Sequence, residues 1–362
     1  MRLTVEGCRA RQRSLGEVLA ERELAGAVLG LREHVYYFTG HLHDPMHAAA
    51  LLVKADGTAV LAAGEGVERD GLAADDVVEY APAFLATMHS RQLEEAAAAL
   101  ALAISGGPHG ADHGGVSILA QTGSEPPVDL SPDLLRLRKS KHADEVAAIR
   151  HCIRLTDVMY DAAKAAIGDG NDEVTVFSEI EAAATREAGE FLEGCGNDYR
   201  ANAMGGKARR RAMNGGELYI LDAGPSLHGY WADNCRTFAV DGEPTAAQMA
   251  AWECIDAVFP ILESEIRPGR PAAEVYQVAD TYFKENGYAG MSHHLGHGIG
   301  MRPHETPELN PHYDAVFDVG DVFTMEPGLY TDELRAGIRI EENYLLAETG
   351  LERLTSYPRA LV

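Results

Sequence analysis

The sequence predicts an α+β protein of two domains, and three observations predict it. The chain has 362 residues, too many for one ordinary core. Its second half carries long stretches with apolar residues at helical spacing. Around them lie strand-like runs: a hairpin between Leu218 and Arg236, then SHHLGHGIG, DVFTMEPGLY and AGIRIEENYLL. Helices outside a strongly curved antiparallel sheet are the arrangement this order suggests for the C-terminal part. A smaller α/β domain precedes it, and the proline-rich stretch SEPPVDLSPD places the boundary near Ser131–Ser140, giving domains of residues 1–135 and 136–362.

Taken in order, Leu15, Val18 and Leu19 fall at helical spacing between Ser14 and Glu23, and AGAVLGL has buried-strand character. HVYYFTG reads as a strand ending in Gly40. The loop after it, HLHDPMH, holds His41, His43, Asp44 and His47, a metal cluster by residue type but more simply a loop lining a cleft or a subunit contact. AAALLVKADGTAVLAAG gives two strands about an Asp-Gly turn. Residues 90–103 form an Ala-rich helix. GGPHGADHGG lacks the pattern and the lysine of a phosphate loop and reads as a turn, and VSILA reads as a short strand. The second half opens with the helix KHADEVAAIRHCIRLTDVMYDAAKAAI, striped by Val146, Ile149, Ile153 and Met159, and with NDEVTVFSEIEAAATREAG behind an Asn-Asp cap. After the hairpin, Thr245 caps TAAQMAAWECIDAVFPILESEI, and AAEVYQVADTYFKENG is a further helix.

Composition excludes several classes. With 46% hydrophobic residues a sizeable core can be buried, yet there is no apolar run of about twenty residues for a membrane span. The N-terminal stretch has no apolar h-region or cleavage site, so cytoplasm is the expected compartment. Five cysteines without CxxC spacing indicate neither a disulfide framework nor a zinc knuckle. A net charge of -25 would repel a phosphate backbone, which excludes nucleic acid as a partner. So acidic a chain, poor in lysine, suits concentrated salt and a halophilic source; a high-GC genome would explain the arginine but not the acidity.

The chemistry gathers at the hairpin LYILDAGPSLHGYWADNCR. Asp222 and Asp233 stand eleven positions apart about the GPSLHG turn, so that pairing can bring them together. Two carboxylates in one apolar setting cannot both stay ionised without a cation between them. The late strands add His297, Glu326 and Glu341. Singly, each residue has an ordinary reading: Asp222 starting a turn, Glu326 before Pro-Gly in one, His297 in a glycine loop, Glu341 on a solvated strand face. Together, one imidazole and four carboxylates match two hard or borderline divalent ions, Mn first, with Co or Zn as alternatives.

DAG with its second Asp eleven residues on, HHLGHGIG, MEPG and GIRIEEN resemble, in order and spacing, the M24 metallopeptidases of the pita-bread fold, which include methionine aminopeptidase, aminopeptidase P, prolidase and creatinase. The N-terminal half more loosely resembles the extra creatinase-type domain, which disfavours methionine aminopeptidase. The resemblance implies that Asp222 binds one metal alone, His297 and Glu326 the other, and that Asp233 and Glu341 bridge both. A metal-bridging hydroxide would attack the scissile carbonyl. His304 would steady the oxyanion, His293 would line the cleft on the same strand face as His297, Glu326 would shuttle a proton to the leaving amine, and Arg339 would orient an acidic ligand.

The implied function is hydrolysis of Xaa-Pro bonds in dipeptides or at peptide N-termini, by a homodimer whose histidine loop approaches the partner's cleft. The alternatives are a C–N hydrolase of a small molecule, like creatinase or ectoine hydrolase, and a non-catalytic binding module, which would have lost ligands. Two departures stand out. Gly205, seventeen residues before Asp222, occupies the place where proline-cleaving members usually carry His, and Cys235 replaces the threonine of the D-x-T-R pattern.

Overall fold

The computed structural model describes residues 2–44, 46–83, 85, 91–104, 106–122 and 126–361. Pro45 of the histidine loop, Ser90 at the start of the expected Ala-rich helix, and Ser124 and Glu125 of the proline-rich stretch lie outside them. The chain divides into two compact units, Met1–Arg138 and Lys139–Val362.

The first unit runs α1 (Val5–Glu21), β1 (Gly26–Leu29), α2 (Arg32–Thr39), β2 (Ala50–Lys54), β3 (Ala59–Gly64), β4 (Asp76–Tyr80), α3 (Gln92–Ala101), β5 (His109–Ala111), α4 (His113–Thr122), β6 (Val128–Asp129) and α5 (Ser131–Lys139). Its six strands form one sheet in the order β4-β3-β2-β1-β5-β6. Antiparallel pairing joins β1, β2 and β3, and parallel pairing adds β4 at one edge and β5 and β6 at the other. Helix α1 starts nine residues earlier than its apolar spacing suggested, because Thr4 caps it by accepting from Gly7 N at 3.0 Å.

Two segments read as strands are helices. HVYYFTG lies in α2, closed by Gly40 at φ 76°, and VSILA lies in α4. In α2 every residue from His34 to Thr39 is buried, so the one-sided apolar pattern that marks a surface helix is absent.

The second unit comprises α6 (Ala143–Ala166), α7 (Glu173–Ala188), β7 (Gly194–Ala201), β8 (Leu218–Leu227), β9 (Tyr230–Trp231), β10 (Asn234–Ala239), α8 (Ala246–Glu265), α9 (Ala272–Glu285), β11 (Gly296–Gly298), β12 (Glu305–Leu309), β13 (Val322–Met325), β14 (Gly328–Leu329), β15 (Ile338–Arg339), β16 (Glu342–Ala347) and β17 (Gly350–Arg353). All its strand pairs are antiparallel, in sheets ordered β10-β8-β7, with β9 on β8, and β12-β11-β13-β16-β17, plus the pair β14-β15.

Each large sheet carries its own helix pair. Met159, Tyr160, Val176 and Ile180 of α6 and α7 pack on Tyr199, Leu221 and Phe238 of the first sheet. Ile255, Phe259, Val275 and Phe283 of α8 and α9 pack with Phe323 and Tyr344 of the second. Each such fully buried apolar side chain contributes about 1.5–3 kcal/mol. Helix α8 begins in the expected place, with Thr245 and Gln248 forming a reciprocal capping box, and α7 begins on Asp172.

Candidate metal centre

Strand β8 is the backbone of the site. It pairs Asp222 with Cys235 of β10 on one side and with Asp198 of β7 on the other. The hairpin turn is tighter than GPSLHG suggested, because β8 continues through Leu227 and pairs it with Tyr230. Only His228 and Gly229 turn, at φ 50° and 74°, the positive values of a type I′ loop. Register then puts Asp233, just before β10, beside Asp222. Strand β7, left unassigned from sequence, carries two bulges, between Gly194 and Gly196 and between Gly196 and Asp198. A Cβ at Gly196 would lie 2.3 Å from the Asp222 carbonyl oxygen, so glycine is required where β7 crosses this point.

The remaining side chains arrive from the second sheet and its border. His297 sits on β11, where its Nδ1 lies 3.1 Å from the Gly298 carbonyl, leaving Nε2 to face Asp233 Oδ2 at 3.7 Å and Glu326 Oε1 at 3.6 Å. Glu326 follows β13, and Glu341 sits between β15 and β16 with its N–H donating to Cys235 O at 3.0 Å. Buried Arg236 fixes the same turn, donating to the Glu341 carbonyl at 2.7 Å.

All five expected ligands line one cleft of about 270 Å³, together with His293, His304 and Arg339. Potential ligand atoms of Asp222, Asp233 and Glu341 lie within 4.8 Å of one another, as do those of His297, Glu326 and Glu341, and those of Asp233, His297 and His304. Glu341 is common to the first two groups, and Asp233 to the first and third.

The electrostatics identify what this cluster suits. Asp222, Asp233 and Glu341 are 8%, 4% and 1% exposed, and among the described residues Asp222 Oδ1 and both Glu341 carboxylate oxygens find no hydrogen-bond partner. Burial and the neighbouring carboxylate charges push the Asp233 and Glu341 carboxyls well above their ordinary range. Burial also raises Asp222, against the pull of Arg339. Glu326 behaves oppositely: burial raises it, but the His294 hydrogen bond and the nearby imidazoles win and bring it down to about 2. Burial lowers His297 to about 4, so the ring is neutral and able to ligate near pH 7. Unpartnered, mutually repelling oxygens beside a neutral imidazole fit divalent cations.

Other contacts were not legible in the sequence. His293 lies in the loop before β11, not on the strand, so the shared-face argument fails; it reaches the cleft because its Nε2 is 2.9 Å from Tyr330 Oη. His294 Nε2 is 2.8 Å from Glu326 Oε1. His304 is exposed and stacks on His297 with ring centroids 3.7 Å apart. Arg339 donates to Asp222 Oδ2 at 2.8 Å and also binds Asp198. Burial pushes the Cys235 thiol up, so it is a neutral neighbour of Asp222.

In the first unit, His41, His43 and His47 line a hollow of about 240 Å³. Burial lowers His41 to about 4 and lowers His43. Among the described residues this loop contributes no group of three potential ligands.

Two antiparallel sheets, each packed on its own helix pair, with a His-carboxylate cluster in the cleft, are the arrangement of the pita-bread fold. The chain matches metallopeptidase family M24 over residues 147–348, and it belongs to that family. It is 31% identical over 232 residues to a Xaa-Pro dipeptidase of Pyrococcus furiosus, an alignment covering 63% of this chain and 66% of that protein. An uncharacterised peptidase of Staphylococcus aureus is 28% identical over 338 residues, covering 90% of this chain and 93% of that one. Among solved structures, the prolidase of Pyrococcus horikoshii OT3 superposes with a TM-score of 0.81 at 22% identity, covering 98% of this chain and 100% of the other. A His361Ala aminopeptidase P of Escherichia coli gives 0.76 at 19%, covering 98% and 96%. These two likenesses establish the fold, including its N-terminal domain. Among the described residues no helix is long and apolar enough to cross a membrane.

Proposed function

We propose that the chain is a dinuclear metal-dependent hydrolase that cleaves Xaa-Pro bonds in dipeptides or at peptide N-termini. The observation that carries this reading is the interlocked cluster in which Glu341, with no partner for either oxygen among the described residues, belongs both to the Asp222–Asp233 group and to the His297–Glu326 group. Asp222 would hold one ion, His297 and Glu326 the other, and Asp233 and Glu341 both, with Mn as the first choice and Co or Zn as alternatives. Two bound divalent ions would supply a nucleophile from water at neutral pH and polarise the scissile carbonyl.

The chain's own residues do the rest. His294 holds Glu326 Oε1 at 2.8 Å, leaving that carboxylate placed to carry a proton to the leaving amine. His304, whose pKa is lowered by the partial burial of its ring and by the neighbouring His294, stacks on His297 in the cleft, where a donor can steady the developing oxyanion. Arg339 and Tyr330 orient Asp222 and His293 from behind.

The likeness to two Pyrococcus Xaa-Pro dipeptidases supports proline peptides. Gly205 favours a second reading, a small non-peptide C–N substrate, because position 205 itself offers no imidazole. A panel of Xaa-Pro dipeptides, X-Pro-Y peptides, creatine and ectoine, assayed with added Mn in low and high salt, separates the two. Proline-peptide turnover supports the first reading, and turnover of none of those peptides overturns it. His304→Ala should retain metal and lower kcat roughly 10²–10³-fold; an unchanged kcat contradicts the role given to His304. The same reading includes a cytoplasmic homodimer adapted to salt. Sedimentation showing a fully active monomer would contradict the dimer.

A further inference from the structure

We propose that Asp198 is a positioning residue of the metal centre, and that Gly205 is glycine because the Asp198 carboxylate occupies the space beside it. This rests on the reading of the cleft as a metal site. Asp198 stands on β7 directly opposite Asp222 on β8. Its side chain is 19% exposed, and those of Arg339 and Asp222 are 8% and 11%. Arg339 Nη2 is shared: it donates to Asp198 Oδ2 and, at 2.8 Å, to Asp222 Oδ2, while Arg339 Nη1 lies 3.3 Å from Tyr330 Oη. The second Asp198 oxygen accepts from Gly206 N.

A Cβ at position 205 would meet the Asp198 carboxylate at 2.5–2.7 Å, on a backbone held at φ +155°. Any side chain there, an imidazole included, would displace the carboxylate from Arg339. Residues 198 and 205 are therefore one coupled feature: the acid takes the space that a rim side chain would need.

The consequence concerns metal. A guanidinium divided between two carboxylates competes with a cation for Asp222 less than an undivided one does, and the Asp198 charge itself attracts cations to the site. Neutralising Asp198 removes both effects, and both removals weaken metal binding. A purely structural Asp198, acting only to hold the 202–206 turn through Gly206, would alter folding and leave metal affinity alone.

The test is calorimetric titration of chelator-stripped protein with Mn²⁺, with Tm measured in chelator. In D198N the weaker Mn²⁺ site should lose affinity about tenfold, activity should fall at limiting Mn²⁺ and recover at saturation, and Tm in chelator should stay within about 2 °C. Unchanged Mn²⁺ affinity in folded D198N, with or without a lowered Tm, overturns the proposal. Should D198N fail to fold, G205A alone gives the same readout, since it keeps every charge and only displaces the carboxylate; where Asp198 variants fold, it is also compared with D198A and the double variant. G205A should weaken Mn²⁺ binding in the wild-type background and change it by less than about twofold in D198A, since the backbone strain is common to both; equal effects in the two backgrounds overturn the coupling. Wild-type protein that folds but binds no Mn²⁺ overturns the metal reading itself, and the proposal with it.

Discussion

Asp112 and Glu341 are both buried acids, 0% and 1% exposed, and the fold treats them in opposite ways. Asp112, in the first unit, accepts from Gly30, Leu31 and Gly115 N at 3.0, 3.1 and 2.6 Å and lies 2.7 Å from His34 Nδ1. Burial raises its pKa, but the His34 contact and the backbone donors outweigh burial and hold it below the ordinary range. Glu341 finds no partner for either oxygen among the described residues, and burial and the Asp233 charge push it well above. A satisfied buried carboxylate ties the chain together; an unsatisfied one, crowded by others, is poised for a ligand from outside.

The largest test of this contrast is removal of a cleft carboxylate. Asp233→Ala should abolish Mn retention and lower activity by more than the roughly 100-fold that outer partners of a metal can cost; assay with metal analysis checks it, and unchanged activity breaks the assignment. Next comes Asp112→Ala, which leaves three backbone donors and His34 without their acceptor. It should destabilise the protein by about 3 kcal/mol in denaturant unfolding without changing Mn stoichiometry. The sign with pH separates the two acids. Because the folded pKa of Asp112 is lowered, its contribution is present above its unfolded value and is lost as pH falls through the folded one, so the Asp112→Asn deficit should shrink only below about pH 4.

Glu341 is the reverse. Its folded pKa is raised, so in chelator Glu341→Gln should melt above wild type at neutral pH, and that advantage should vanish as pH falls toward about 4.5. Melting curves at several pH values check both. The smallest effect belongs to the histidine loop: His43→Ala should leave Mn affinity within about twofold, because among the described residues His43 belongs to no group of three potential ligands.

The cleft was more legible in the sequence than the first unit, for a physical reason. Asp222 and His297 lie within β8 and β11, and Asp233, Glu326 and Glu341 lie just outside strands, all in segments whose local patterns are strong, and their shared chemistry drew them together. Asp198 left no such signal, because β7 is polar, glycine-broken and twice bulged, and only pairing with β8 shows where its carboxylate points. Tyr330 and His294 likewise gain their roles only from contacts across loops. In the first unit, HVYYFTG has β-branched and aromatic residues that favour strands, yet tertiary burial on all sides made it helix α2. The loop with His41, His43 and His47 had the right residue types. It lacks the crowd of carboxylates that suits the cleft to a divalent cation.

The most direct test is Mn²⁺ titration of chelator-stripped wild-type protein beside Glu341→Gln. Two ions per chain in the wild type, with neither held tightly in the variant, is the predicted result. Folded wild-type protein that takes up no Mn, Co or Zn, or a variant that binds as wild type does, would contradict the account.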